Sequence, residues 1–245
     1  LTSKEPKWAD RLMMLAIDVS NDESVTMAAE TVASSFEADA KPLYGIINNA
    51  GIGSFSIGLE PTLQVNTWGI YRVCEAFIPL LEASGRIVNV TSAAGPNFVE
   101  AADDVTRTML TDPDVQWDAV EEYMNRCISE SKDSASTTSG LGNAYGLSKA
   151  CANALTLILA RENPGLKINA CTPGFIETDM TRPFAESQGK SASEMGMKTP
   201  EQGSSASVFL MNGEVPGSGM YFGSDCLRSP LDRYRSPGDP PYEGD

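Results

Sequence analysis

Tyr145 precedes Lys149 by one helical turn in GNAYGLSKACANAL (142–155), at the start of an apolar run. Two readings fit the pair. In one, the phenol is a general acid and the ammonium its helper; in the other, both are solvated side chains sharing a face. The chain contains no histidine. Acid–base work therefore falls to Tyr, Lys, Asp, Glu or Cys, and His-based triads and most zinc sites drop out. No metal site is expected. Cys74, Cys127, Cys151, Cys171 and Cys226 are scattered without C-x-x-C spacing, which reads as buried or idle thiols in a reducing compartment.

The elements that must position this pair follow from the hydropathy pattern. RLMMLAIDVS (11–20), PLYGIINNAG (42–51), GRIVNVTSAAG (85–95), LKINACTPG (166–174) and SGMYFG (218–223) are short apolar runs, read as strands. Between them fall helices: one opened by a Ser20/Glu23 capping box, a long one over 62–84, and one over 143–162 that carries the pair. Another starts at Thr199-Pro200-Gln202. Uniformly apolar strands alternating with helices predict a doubly wound parallel sheet, α/β in class, within a single domain over 1–245. Residues 96–142 form an insert, with Val120, Tyr123, Met124, Cys127 and Ile128 predicting an amphipathic helix over 114–131. The Pro-, Arg- and Asp-rich tail 227–245 is expected to lie extended on the surface.

In such a sheet, ligands sit outside the carboxyl ends of the strands. Asp18-Val19, Asn48-Asn49-Ala50-Gly51, Ser92 and Pro173-Gly174 fall at those ends and should share one rim. The motifs NNAG (48–51), VNTWG (65–69), GRIVNVTSAAG (85–95), AYGLSKA (144–150) and INACTPGFIETDM (168–180) occur in order. Together they resemble the short-chain dehydrogenase/reductase family over about residues 11–225. Ser92 and Tyr145 lie 53 positions apart, and a helical insert of that size looks like the carbonyl reductase branch.

The resemblance implies a Rossmann-type sheet and hydride transfer from a nicotinamide cofactor to a ketone, aldehyde or quinone. NADPH is the implied cofactor, with NADH as the alternative. Tyr145 would donate the proton. Lys149 would lower its pKa and hold the nicotinamide ribose. Ser92 would bind the carbonyl oxygen, and Asn66 would bend its helix and hold a proton-relaying water. Asp18 and Val19 match the adenine contacts; a helix N-cap is the plainer role for Asp18. Asn49, Ala50 and Gly51 match the ribose turn. Pro173, Gly174, Ile176 and Thr178 match the stretch that grips the carboxamide and phosphates. Asn48, Thr91 and Ser148 read as structural. The segment 51–66 and region 180–198 are expected to line the substrate pocket. The branch implies a monomer, because the insert covers the helix face used elsewhere for dimerisation. Two other classes fit the same residues: a truncated, non-catalytic binding or scaffold protein, and a 3-oxoacyl or steroid reductase.

The family opens with a strand, a T-G-x-x-x-G-x-G turn and a helix, and this sequence contains no such pattern. GIGSFSIG (51–58) has the wrong glycine spacing. The expectation is a chain lacking the first two strands and the phosphate-binding turn. The 11–20 strand would then have no partner, and the 42–51 strand would be an exposed apolar edge. A net charge of −15 opposes nucleic acid. No run of 18 apolar residues occurs and the first residues lack a secretory core, so a cytoplasmic enzyme acting on a small molecule is expected.

Overall fold

The computed structural model describes residues 11–37, 40–53, 57–133 and 141–244. Its helices and strands alternate as α1 (Asp22–Ser34), β1 (Leu43–Asn48), α2 (Leu59–Asn66), α3 (Trp68–Phe77), β2 (Leu81–Val90), α4 (Ala94–Ala101), α5 (Asp104–Thr111), α6 (Trp117–Asp133) and α7 (Leu141–Glu162). Then follow β3 (Lys167–Cys171), α8 (Arg182–Ser187), α9 (Pro200–Gly203), α10 (Ser205–Asn212), β4 (Tyr221–Phe222) and β5 (Arg228–Ser229). The strands form one sheet in the order β1-β2-β3-β4-β5, parallel except for the last pair.

Both faces of the sheet are covered. Successive residues of β2 point opposite ways: Ile87 packs with Ile70, Cys74, Leu155 and Leu159 under α3 and α7, whereas Val88 packs with Ala206, Leu210 and Phe222 under α10. A third apolar cluster joins α7 to the insert through Leu110, Val120, Met124, Ile128, Leu147, Cys151 and Ile158. The outer face of α7 is thus covered by α4, α5 and α6 of the same chain. The amphipathic helix expected over 114–131 is α6, its apolar residues buried or half-buried as predicted. Residues 134–140, the core of the Ser/Gly-rich stretch, lie outside the described residues. α5, which was not anticipated, starts at an Asp103 N-cap that accepts from Thr106 N at 2.8 Å.

Four expectations need correction. Residues 12–18 are not a strand; they run without a ladder partner, with Leu12, Met13, Met14, Leu15 and Ile17 exposed. Apolar content does not make a strand when no neighbour takes its backbone groups. β1 is indeed an edge, with Tyr44 and Ile47 exposed. The N-cap of α1 is Asn21, which accepts from Ser24 N; the Ser20 hydroxyl donates to Asp18 instead. The helix expected over 62–84 breaks at Thr67 (φ −121°, ψ −62°) and stops at Phe77. Pro79 sits in a single 3₁₀ turn, Ile78–Leu80, and Leu81 already pairs with Leu43 of β1. Lastly, the tail is only partly a surface segment. β5 pairs with β4, Arg235 is buried, and its guanidinium binds both Asp225 oxygens at 2.5 and 2.6 Å. The pairing carboxylate lies just before the tail, which lets a charged residue enter the fold.

A buried amide chain ties the strand ends to α7. Asn48 Nδ2 donates to Asn89 Oδ1, and Asn89 Nδ2 donates to Thr156 Oγ1, each at 2.8 Å. Asn48 therefore bridges neighbouring strands, as read from the sequence. Asn89→Leu leaves Asn48 without this acceptor inside the protein. A loss of about 1–3 kcal/mol is expected in urea unfolding; an unchanged midpoint would contradict the bridge.

Candidate active site

β2 ends at Val90, and the chain turns into α4 immediately afterwards. Ser92 occupies that turn: its hydroxyl accepts from Ala94 N at 3.2 Å and lies near enough to the Tyr145 phenol to draw its pKa down. Tyr145 comes from the N-terminal part of α7, and Lys149 lies one turn further along the same helix. The Lys149 ammonium is 4% exposed. It donates to the Val90 carbonyl at 3.0 Å and stands 5.7 Å from the Tyr145 ring centre. Ser92, Tyr145 and Lys149 thus meet at the carboxyl end of β2.

The loop after β1 closes over them. A Cβ on Gly51 would lie 3.3 Å from Asn66 Oδ1 and 3.4 Å from Lys149 Nζ, so this glycine keeps a cradle open beside the ammonium. A Cβ on Gly53 would lie 2.9 Å from the Tyr145 ring and 3.5 Å from Met180 Sδ. One residue from each segment expected to line the pocket therefore faces the phenol. Asn66 fixes this loop. Its Oδ1 accepts from Ile52 N and its Nδ2 donates to Ile52 O, both at 2.8 Å, and Nδ2 also donates to Ser148 Oγ at 3.0 Å. Ser148 Oγ in turn donates to the Tyr145 carbonyl at 2.8 Å. The helix does break directly after Asn66. Its amide clamps the loop after β1 to α7.

The other rim residues divide into two groups. Gly174 has φ +89°, open to glycine at little cost, and its N–H donates to Thr172 Oγ1. Ile176 is buried and bridges Lys198, while Thr178 N donates to Thr181 Oγ1 at the start of α8. Pro173 precedes them on the same turn, and Asn49 and Ala50 lie between β1 and Gly51. Asp18 bonds locally: its Oδ1 accepts from both Ser20 N and Ser20 Oγ. These bonds hold its carboxyl below the usual carboxylate range. Val19 packs on α3 at Gly69, and its carbonyl accepts from Arg72. Thr91 bonds Cys171 across the β2–β3 ladder and is structural. Sequence reasoning missed Tyr234 and Arg235, which with Phe175 line a cavity reaching Ser92. The signal available for them was an arginine within reach of Asp225 in an otherwise surface-like tail.

Electrostatics refine the expected tuning. Burial pushes the Tyr145 phenol up, and the Ser92 hydroxyl pulls it back. Burial also lowers Lys149 to about 8, with Cys171 opposing that shift. The lysine is the more strongly moved of the pair because its charge is taken out of water. Cys74 and Cys171 are pushed up to about 12 by burial, and no cysteine is paired among the described residues.

The model for short chain dehydrogenase matches residues 2–102. The chain is 28% identical to (+)-neomenthol dehydrogenase of Arabidopsis thaliana, covering 89% of this chain and 80% of that protein. It is 29% identical to Carbonyl reductase [NADPH] 3 of Rattus norvegicus, covering 79% and 70%. Salutaridine reductase from Papaver somniferum superposes with a TM-score of 0.71 at 24% identity, over 89% of this chain and 84% of that one. These matches support a short-chain dehydrogenase/reductase and, with it, an NAD(P)H-dependent oxidoreductase of Rossmann-type fold. The nicotinamide end of such a cofactor fits the open cradle at Gly51 beside Lys149 and the glycine turn at Gly174. Among the described residues, no glycine-rich turn opens a helix toward a pyrophosphate. No described helix is long and apolar enough to cross a membrane.

Lys149 makes stability depend on pH in a defined direction. Its folded value of about 8 lies below the ordinary 10.5. Between these values the unfolded chain binds more protons, so this group makes stability rise as pH increases. Urea unfolding of wild type and Lys149→Met from about pH 7 to about pH 10 should show that rise only in wild type. Parallel curves would contradict the buried ammonium.

Proposed function

We propose that the protein is an NADPH-dependent carbonyl reductase that transfers hydride to a ketone, aldehyde or quinone, with Tyr145 as proton donor. The observation that carries this reading is the convergence of the Ser92 hydroxyl and the Tyr145 phenol beside a buried Lys149, whose ammonium stands 5.7 Å from the Tyr145 ring centre. The names of the relatives, carbonyl reductase [NADPH] and neomenthol dehydrogenase, support the carbonyl substrate and the cofactor. When bound, the nicotinamide supplies the hydride.

The chain's own groups manage the oxygen. A substrate carbonyl placed at Ser92 and Tyr145 receives two hydroxyl hydrogen bonds, which strengthen as negative charge develops on it. Tyr145 then releases its proton to that oxygen. A phenol held up by burial keeps this proton until the oxygen becomes basic. Lys149 lies one turn away and stabilises the tyrosinate left behind, and Val90 O fixes its position. Asn66 keeps Gly51 and Gly53 in register with the phenol, so the pocket floor does not drift.

Lys149, Tyr145, Gly51, Asn49 and Ala50 would hold the ribose side, and Pro173, Gly174, Ile176 and Thr178 the carboxamide side. Asp18 and Val19 would serve the adenine. The insert over α7 supports a monomer, and the sequence supports a small-molecule substrate in the cytoplasm.

Tyr145→Phe tests the assignment directly. Its kcat should fall about 10²–10⁴-fold. NADPH affinity, followed by cofactor fluorescence, should stay within about twofold, because the hydroxyl acts mainly in the transition state. Wild-type turnover in the variant would refute the role of Tyr145. Absence of NADPH binding to the wild-type chain would favour the non-catalytic scaffold instead.

A further inference from the structure

Beyond β4 the chain reverses and returns to the mouth of the site. Gly223 N donates to Leu227 O, β5 pairs back on β4, and residues 230–239 then pass over the rim as a strap. Arg235 locks it. Besides the two bonds to Asp225, its Nε donates to Ser229 Oγ at 3.0 Å and its Nη1 to Asp239 O at 2.7 Å. With its charge paired and most of its donors used, Arg235 is a fastening, not a free anion receptor.

What the fastening presents is Tyr234. This ring and Phe175 border a cavity of about 220 Å³ that also includes Ser92, Thr172 and Ser224. Both rings are partly exposed, Tyr234 at 43% and Phe175 at 38%. Tyr234 has no role in any of the three apolar clusters. A second observation brings it to the chemistry. The buried Tyr221 phenol is pushed up chiefly by burial, then by Cys171, and in smaller part by both Tyr234 and Tyr145. The strap tyrosine and the proton donor therefore share a neighbourhood. The cavity is below the usual range of about 300–1,000 Å³ for larger ligands. It accommodates a single ring beside the Ser92 hydroxyl.

We infer that Tyr234 is a specificity-determining residue, held by the Arg235–Asp225 pair, that stacks on a flat ring attached to the substrate carbonyl. This rests on the carbonyl-reductase reading for the reaction, but the preference it predicts is one of binding. A planar ring gains face contact with an aromatic wall that a puckered ring of similar size does not.

The test compares acetophenone with cyclohexyl methyl ketone. Binding is measured by saturation-transfer NMR titration in the presence of NADPH, and turnover is measured in parallel. Wild type should prefer acetophenone by about fivefold to tenfold in Kd. Tyr234→Ala should remove the preference, Tyr234→Phe should restore it, and Asp225→Asn should weaken it by loosening the strap. Circular dichroism of each variant guards against a folding defect, and Tyr234→Phe decides the matter if the alanine variant unfolds. The preference without turnover would count against the reductase reading and still support Tyr234. An equal preference in wild type and Tyr234→Ala, or saturable binding of neither ketone by wild type, overturns the assignment.

Discussion

A primary ammonium buried at the end of a parallel strand is the constraint around which this molecule is arranged. Taking Lys149 out of water costs several kcal/mol unless its donors are met. Val90 O, at the end of β2, meets one of them. The helix that brings the lysine must then run close over the sheet. Gly95 and Gly146 allow that approach: a Cβ on Gly146 would lie 2.9 Å from Ala94 O, and one on Gly95 would lie 3.1 Å from Ala150 N. Small residues at the α4–α7 contact are thus part of the same solution as the charge they help to bury.

From this follows the division of labour around the site. α7 supplies two reacting groups and also faces two of the three apolar clusters. The loop after β1 is short of regular structure and depends on the Asn66 amide for its shape. The sheet sets where the strand ends stop, through the Asn48–Asn89–Thr156 chain. Each layer controls a different coordinate of the phenol: its depth, its lateral position, and the width of the opening before it.

Much of this was legible in the sequence, and the reasons differ from place to place. β2 and β3 could be read because an interior parallel strand is apolar on both faces, β1 because its run stays apolar although it lies at the edge, and α6 because its stripe repeats with helical spacing. The Thr199–Gln202 capping box appears as written. Ser92, Tyr145 and Lys149 were found because motif order fixed them, and the fold then brought them together. The failures share a cause. Residues 12–18 look like a strand, but pairing is a property of the neighbour and not of the segment. The helix end at Phe77 depended on Leu81 being claimed by Leu43, a long-range contact. Arg235 read as solvated because its partner lies ten residues away across a reversal. The pKa of Tyr145 was expected to follow the lysine, whereas burial, which no local pattern encodes, pushes it up and Ser92 opposes that.

The double duty of α7 sets how this protein can change over generations. A substitution that alters its inner face disturbs packing and chemistry at once, so few variants there survive selection. Residues 231–240 contribute to none of the apolar clusters and are held chiefly by one ion pair and a few backbone acceptors. Apart from Arg235, their side chains can be exchanged at small cost to folding while the pocket mouth changes shape. Innovation in what the protein accepts is thereby channelled toward this strap, and the proton-handling centre, tied to the packing of α7, has little room to vary.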